Sequence, residues 1–167
     1  LLKHIDKLSH MEKEKLFQAY KDYLESYGLH EVFAVDYLTI IGERYGFQVY
    51  RFRDKLVALV KHGHNDIRNG ANVIVSHLDS PRLDVLAGEP LVEKPDGVFL
   101  KVVPYGGIIP QLWLDIPLVL VGRIYTDNGP ININTKDEFE FTITSLLPHL
   151  DGRKEIEKFS INNLMVR

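Results

Sequence analysis

The N-terminal part of the chain shows apolar positions three or four residues apart, which predicts an amphipathic helix over residues 9–27. Ser9 followed three residues later by Glu12 matches a capping box at the start of this helix. Gly28 is typical of the residue that follows a helix. The apolar stripe favours packing against the rest of the protein, and it consists of Leu16, Tyr20, Tyr23, Leu24 and Tyr27.

A second helical pattern covers about residues 30–45 and is followed by Gly46. The apolar run 32–35 inside it is also compatible with a strand, because short apolar runs do not distinguish the two. The pattern then changes. Residues 47–52 and 56–60 are rich in apolar and aromatic side chains, and the polar residues between them predict a β-hairpin.

The run Val73-Ile74-Val75 is fully apolar and has polar neighbours on both sides. Such a run predicts a buried central strand. It leads into Ser76-His77-Leu78-Asp79-Ser80-Pro81. Because ligands of open α/β sheets gather at the carboxyl ends of strands, this polar segment is a candidate site.

After Pro81 the chain is punctuated by Gly and Pro at short intervals, which predicts a small β-rich module. The strands expected there are 98–103, 118–126, 131–134 and 139–144. A final helix is expected over about 151–159, after Pro148.

Composition narrows the function classes. The 20 basic and 23 acidic residues give a net charge of −3, which does not favour nucleic acid or an anionic membrane as a partner. No apolar stretch is long enough for a transmembrane helix, and no signal peptide is visible. The absence of Cys excludes disulfides, Cys-ligated metals and Cys nucleophiles, and fits a cytoplasmic protein. We expect the chain to be part of a longer polypeptide, because it neither starts with Met nor ends in a stop-like feature.

Metal chemistry in this chain must therefore use His, Asp and Glu. Residues i and i+2 of an extended segment share one face, so an Asp two positions after a His can accept one ring N–H and leave the other nitrogen for a metal. The His-x-Asp pattern occurs at His4, His64, His77 and His149. Only His77 follows a run that looks like a buried strand. Its alternative role is a hydrogen-bonded histidine at a strand end, and that of His149 is packing at a helix start.

Residues 73–84, which include His-Leu-Asp-Ser-Pro-Arg-Leu-Asp, resemble the first metal-site motif of the aspartyl aminopeptidase family of zinc exopeptidases. Three further stretches are similar to that family and follow in the family's order. They are Pro104-Tyr105-Gly106-Gly107, Trp113 with Asp115-Ile116-Pro117-Leu118, and Leu147-Pro148-His149-Leu150.

This resemblance implies an α/β fold in which a mixed-sheet zinc exopeptidase domain carries an inserted β-rich oligomerisation domain. Residues 1–81 are then the N-terminal part of the peptidase domain, 82–160 the inserted domain, and 161–167 the start of the return to the peptidase domain. The resemblance also implies a homo-oligomer that removes acidic N-terminal residues from peptide substrates.

By the same resemblance, His77 is a zinc ligand, and Asp79 is its orienting carboxylate and contributes to catalysis. His149 is a ligand or a group that reaches the site of a neighbouring subunit. Some family members carry a second His four residues later, where this chain has Arg153. Two zinc ions are expected per complete site. The bridging carboxylate, second His and Glu base of that site lie further downstream in the family, so we expect this chain alone to hold an incomplete site.

Three functions remain open at this stage. The first is a zinc aminopeptidase of which the chain is an incomplete portion. The second is a truncated, non-catalytic relative that acts as a self-association module. The third is a related peptidase with another substrate preference.

Overall fold

The computed structural model describes residues 6–95, 97–145 and 165–166. Two units are present, Leu1–Ser80 and Pro81–Arg167. The first unit contains the helices and one β-hairpin, and the described part of the second is built mainly from strands.

Helix α1 (His10–Ser26) begins with the capping box that the sequence predicts. The Ser9 amide donates to Glu12 Oε2 at 2.9 Å, and the Glu12 amide donates to Ser9 Oγ at 3.3 Å. At the other end, the amides of Tyr27 and Gly28 both donate to the carbonyl of Tyr23. These contacts satisfy backbone groups that a helix end leaves open, and they confirm the predicted helix.

Helix α2 (Glu31–Arg44) is capped by a histidine, since the Val32 amide donates to His30 Nδ1 at 3.3 Å. The run 32–35, which the sequence left open between helix and strand, is therefore helical. Ala34 and Val35 within it are fully buried, so this run belongs to the core of the first unit.

The predicted hairpin is confirmed as β1 (Gln48–Phe52) and β2 (Leu56–Val60), paired antiparallel. Its turn has positive φ at Arg53 (48°) and Asp54 (53°). Two successive positive φ values are typical of a type I′ turn, whose twist matches that of a hairpin.

Helix α2 packs on the hairpin at Gly42. A methyl group at this position would lie 2.5 Å from Leu59 Cδ2 and 3.1 Å from Val49 Cγ2. An ion pair also joins α2 to β1, since Arg51 Nη2 lies 2.7 Å from Asp36 Oδ1. Glycine thus permits the close approach of helix and strands.

The predicted central strand at residues 73–75 is wrong for this structure. Residues 71–81 form neither helix nor strand, and Val73, Ile74 and Val75 are 79%, 89% and 88% exposed. An apolar run becomes a central strand only where neighbouring strands and covering layers exist. The described residues place no strand beside this run.

The second unit is organised around β5 (Gly97–Tyr105). β3 (Arg82–Val85) and β4 (Leu91–Lys94) pair antiparallel with its two edges, and β8 (Met165–Val166) pairs with it at Leu100 and Lys101. A separate antiparallel hairpin consists of β6 (Val121–Thr126) and β7 (Gly129–Asn134).

The strands predicted over 98–103 and 131–134 are confirmed within longer strands, whereas β3 and β4 were not predicted. The strand expected over 139–144 is wrong, because among the described residues it forms only one bridge, between Phe141 and Leu118. The Asp115 amide also donates to the Ile143 carbonyl at 2.8 Å, but Asp115 has a φ of 55°, outside the extended range of a strand.

The core of this unit is formed by Val102 and Ile143, with 7% and 6% exposure. Thr135, the residue that follows β7, is also buried. The Leu120 amide donates to its Oγ1 at 3.0 Å. Partly buried side chains complete the core, namely Leu83, Leu100, Trp113, Leu114, Leu118 and Phe141.

All strand pairings between the described residues are antiparallel, so the parallel pairs that a mixed sheet requires are not found in these ranges. Among the described residues, neither α1 nor α2 has the length and apolar composition of a membrane span. The helix expected over about 151–159 and the candidate ligand His149 lie outside the described residues.

Candidate functional site

The backbone of the candidate site segment is held against the C-terminal end of α1 by two hydrogen bonds, one of them from a side chain. The Tyr23 hydroxyl donates to the Leu78 carbonyl at 2.5 Å. The Ser80 amide donates to the Gly28 carbonyl at 2.8 Å. The peptide groups on both sides of Asp79 are therefore fixed, although no strand carries the segment.

Asp79 and His77 differ in exposure. The side chain of Asp79 is only 8% exposed, that of His77 is 85% exposed, and His77 Nδ1 lies 3.8 Å from Asp79 Oδ1. The pair has the proximity that the i, i+2 spacing predicts. The distance exceeds that of a direct hydrogen bond.

The electrostatics of this corner also involve Tyr23. Burial raises the pKa of the Tyr23 hydroxyl, and the negative charge of Asp79 raises it further. Both effects keep the hydroxyl protonated, which its hydrogen bond to Leu78 requires. The sequence pattern missed this role, because Tyr23 reads only as one member of the apolar stripe of α1.

The described residues do not by themselves fit a catalytic zinc ion. Structural and catalytic zinc sites use three or four protein ligands. The described part of the chain brings together no group of three or more His, Asp or Glu side chains that could hold a metal. The chemistry of His77 with Asp79 would suit one imidazole ligand and its orienting carboxylate, and no catalytic step is assigned to these two residues alone.

The stretch that leads toward His149 is held by hydrogen bonds between Ser145 and Asp115. The Ser145 amide donates to Asp115 Oδ1 at 3.0 Å, and the Ser145 hydroxyl donates to the other carboxylate oxygen. These two hydrogen bonds lower the pKa of Asp115. The carboxylate thus fixes the backbone four residues before His149.

The sequence profile of one protein family, described as aminopeptidase I zinc metalloprotease (M18), matches residues 10–165. The chain belongs to this family. The expectation drawn from the motifs at residues 73–84 and beyond is confirmed at the level of the family.

Curated M18 relatives match only part of their own length. A probable M18 family aminopeptidase 1 of Borreliella afzelii (strain PKo) is 44% identical over 115 residues, which cover 66% of this chain and 25% of that protein. The protein of the same name from Thermotoga maritima is 43% identical over 108 residues, covering 61% and 24%. The chain therefore spans about a quarter of the length of these relatives.

Solved M18 structures share the fold of this chain. An M18 aminopeptidase from Thermotoga maritima matches with a TM-score of 0.82 and 31% identity, over 96% of this chain and 40% of that one. Aminopeptidase I from Borrelia burgdorferi B31 matches with a TM-score of 0.72 and 27% identity, over 95% and 41%. The fold is thus that of one part of an M18 aminopeptidase.

Proposed function

We propose that this chain contributes to a zinc-dependent aminopeptidase that removes N-terminal, acidic residues from peptides. The observation that carries the proposal is the His77–Asp79 pair, held by α1 within the stretch that matches the M18 family. Family membership supports the reaction class, and the aspartyl aminopeptidase motifs of the sequence support the acidic preference.

In this proposal His77 is a zinc ligand, and Asp79 orients its ring and contributes to catalysis. His149 is a further ligand or reaches the site of a neighbouring subunit. The complete site contains two zinc ions. The bridging carboxylate, second His and Glu base are supplied by residues other than those of this sequence.

The proposal extends to assembly and location. Residues 82–160 act as an inserted domain through which a homo-oligomer forms, and the enzyme works in the cytoplasm. The absence of Cys suits a reducing compartment. The large share of β-structure after Pro81 suits a module separate from the peptidase domain.

The test compares two histidines with the same His-x-Asp spacing. His77→Ala is expected to lower hydrolysis of Asp- and Glu-peptides by at least about 100-fold, and to lower zinc content, in protein produced at the length given by the intact mass of the natural product. Asp79→Asn is expected to cost about 10- to 100-fold. Leu- and Lys-peptides measure the acidic preference.

His64→Ala is the matched control, because the Asp66 carboxylate is engaged by the Arg68 guanidinium at 2.8 Å and is not available to orient a ring. This variant is expected to keep full activity. Full activity in His77→Ala, or a natural product that ends near Arg167 and binds no zinc, would refute the enzyme proposal and favour a self-association module.

A further inference from the structure

The Asp79 residue is bracketed by contacts from one short stretch of chain. The carbonyl before it, that of Leu78, accepts from the Tyr23 hydroxyl at 2.5 Å, and the amide after it, that of Ser80, donates to the Gly28 carbonyl at 2.8 Å. Tyr23 and Gly28 are five positions apart at the end of α1. This end of the helix therefore fixes both peptide planes that set the direction of the Asp79 side chain.

The Tyr23 ring is itself held in place. Its centroid lies 5.6 Å from that of Tyr37, which in turn stacks on Tyr27 at 4.3 Å. On another side, a methyl group at Gly28 would lie 3.1 Å from Tyr23 Cε1. Glycine thus leaves room for the ring, and the hydroxyl is presented to Leu78 by a packed aromatic cluster.

We propose that Tyr23 is a positioning residue for the His77–Asp79 pair. Its hydroxyl holds the Leu78 carbonyl, which keeps the Asp79 carboxylate buried and on the Nδ1 side of the His77 imidazole at 3.8 Å. A carboxylate on that side favours the Nδ1–H tautomer, which leaves the Nε2 lone pair for a ligand. The importance of this tautomer rests on the proposed metal role of His77.

Two conservative variants separate this role from simple packing. Tyr23→Phe removes one hydroxyl and keeps the ring, so the aromatic cluster stays filled. Tyr37→Phe makes the same chemical change in the same cluster and is the matched control, because it keeps the ring that packs against Tyr23 and Tyr27. A merely structural role for the Tyr23 hydroxyl would change the unfolding midpoint without changing the His77 tautomer.

The experiment measures the His77 tautomer in the full 167-residue chain by long-range ¹H–¹⁵N NMR at pH 8.5, where imidazole is neutral. The wild type and Tyr37→Phe are expected to show mainly Nδ1–H. Tyr23→Phe is expected to shift the population to the value found in Asp79→Ala. It is also expected to speed amide exchange at Ser80 about three- to tenfold, as expected for the loss of one hydrogen bond.

An unchanged tautomer in Tyr23→Phe, or the same shift in Tyr37→Phe, would overturn the proposal. Should Tyr23→Phe unfold, Gly28→Ala serves as the second variant, because its methyl group displaces the ring by a few tenths of an ångström. It is expected to give the same tautomer shift in a folded chain, and no shift would refute the proposal. None of these measurements involves peptide hydrolysis. A failure of the positioning proposal can therefore be distinguished from a failure of the proposed enzyme function.

Discussion

At Gly42 the presence or absence of one methyl group decides how closely α2 approaches the hairpin. Gly42→Ala places Cβ 2.5 Å from Leu59 Cδ2, so the helix or the leucine must move. We expect a net loss of about 1–2 kcal/mol in the free energy of unfolding, since overpacking costs about 1–3 kcal/mol and Ala returns up to about 1 kcal/mol of helix propensity.

Urea denaturation measures this loss. Gly63→Ala is the control within the same unit, because the nearest atom to its methyl group would be 4.0 Å away. Equal stability of the two variants would show that α2 does not rest on β2 at this glycine.

Asp115 gives the second unit a dependence on acid pH. Its pKa is lowered by the hydrogen bonds from Ser145, so the folded state prefers the carboxylate more strongly than the unfolded state does. The resulting stability is present above the ordinary value of 3.8 and is lost as pH falls through the lowered folded value.

Acid titration followed by the fluorescence of Trp113, the one tryptophan in the sequence, measures this effect. The wild type is expected to be more stable than Asp115→Asn near neutral pH and to lose that advantage below about pH 4. An advantage that persists unchanged to pH 2 would contradict the role of the carboxylate.

At the scale of elements, residues 73–75 are apolar, as is typical of a protein core, but they are exposed to solvent. Ile74→Lys is therefore expected to change the free energy of unfolding of this chain by less than about 0.5 kcal/mol, as for other exposed positions. It is also expected to reduce self-association, which exposed apolar patches promote.

The comparison variant is Val35→Ala, at a position with no exposure, which is expected to lose about 2 kcal/mol. Chemical denaturation and sedimentation measure the two quantities. A loss in Ile74→Lys as large as in Val35→Ala would mean that the segment is buried in solution.

The difference between local interactions and interactions with distant parts of the chain explains which elements can be predicted from the sequence. α1 and α2 are specified by local features, namely the capping box at Ser9, the helical period and the glycine after each helix. The hairpin is likewise local, because its two strands are neighbours in the chain. A strand at 73–75 depends on partners distant in sequence, and this chain covers only 40% of the solved Thermotoga maritima relative.

The candidate site is predictable only in part for a related reason. Spacing alone brings His77 and Asp79 near each other, since i and i+2 share a face. Tertiary packing determines the rest. It buries Asp79 while His77 stays exposed, and it brings the Tyr23 hydroxyl and the Gly28 carbonyl into hydrogen bonds on either side of Asp79. No periodicity signals a tyrosine hydroxyl that binds a carbonyl 55 positions later.

At the scale of the whole molecule, the chain is one part of an M18 fold, and its described residues include one candidate ligand, His77, with the Asp79 carboxylate beside it. The described residues assemble no donor set of three or more such side chains. The proposed zinc binding at His77 therefore requires ligands from outside the described residues. This requirement makes metal position a more direct test than activity, which depends on every other part of the site as well.

The decisive measurement is anomalous diffraction at the zinc edge from crystals of the protein as isolated from its source. We expect a zinc peak about 2.0–2.1 Å from a ring nitrogen of His77, with the Asp79 carboxylate on the opposite side of the imidazole. A zinc site elsewhere in the protein, with His77 remaining in solvent, would contradict it.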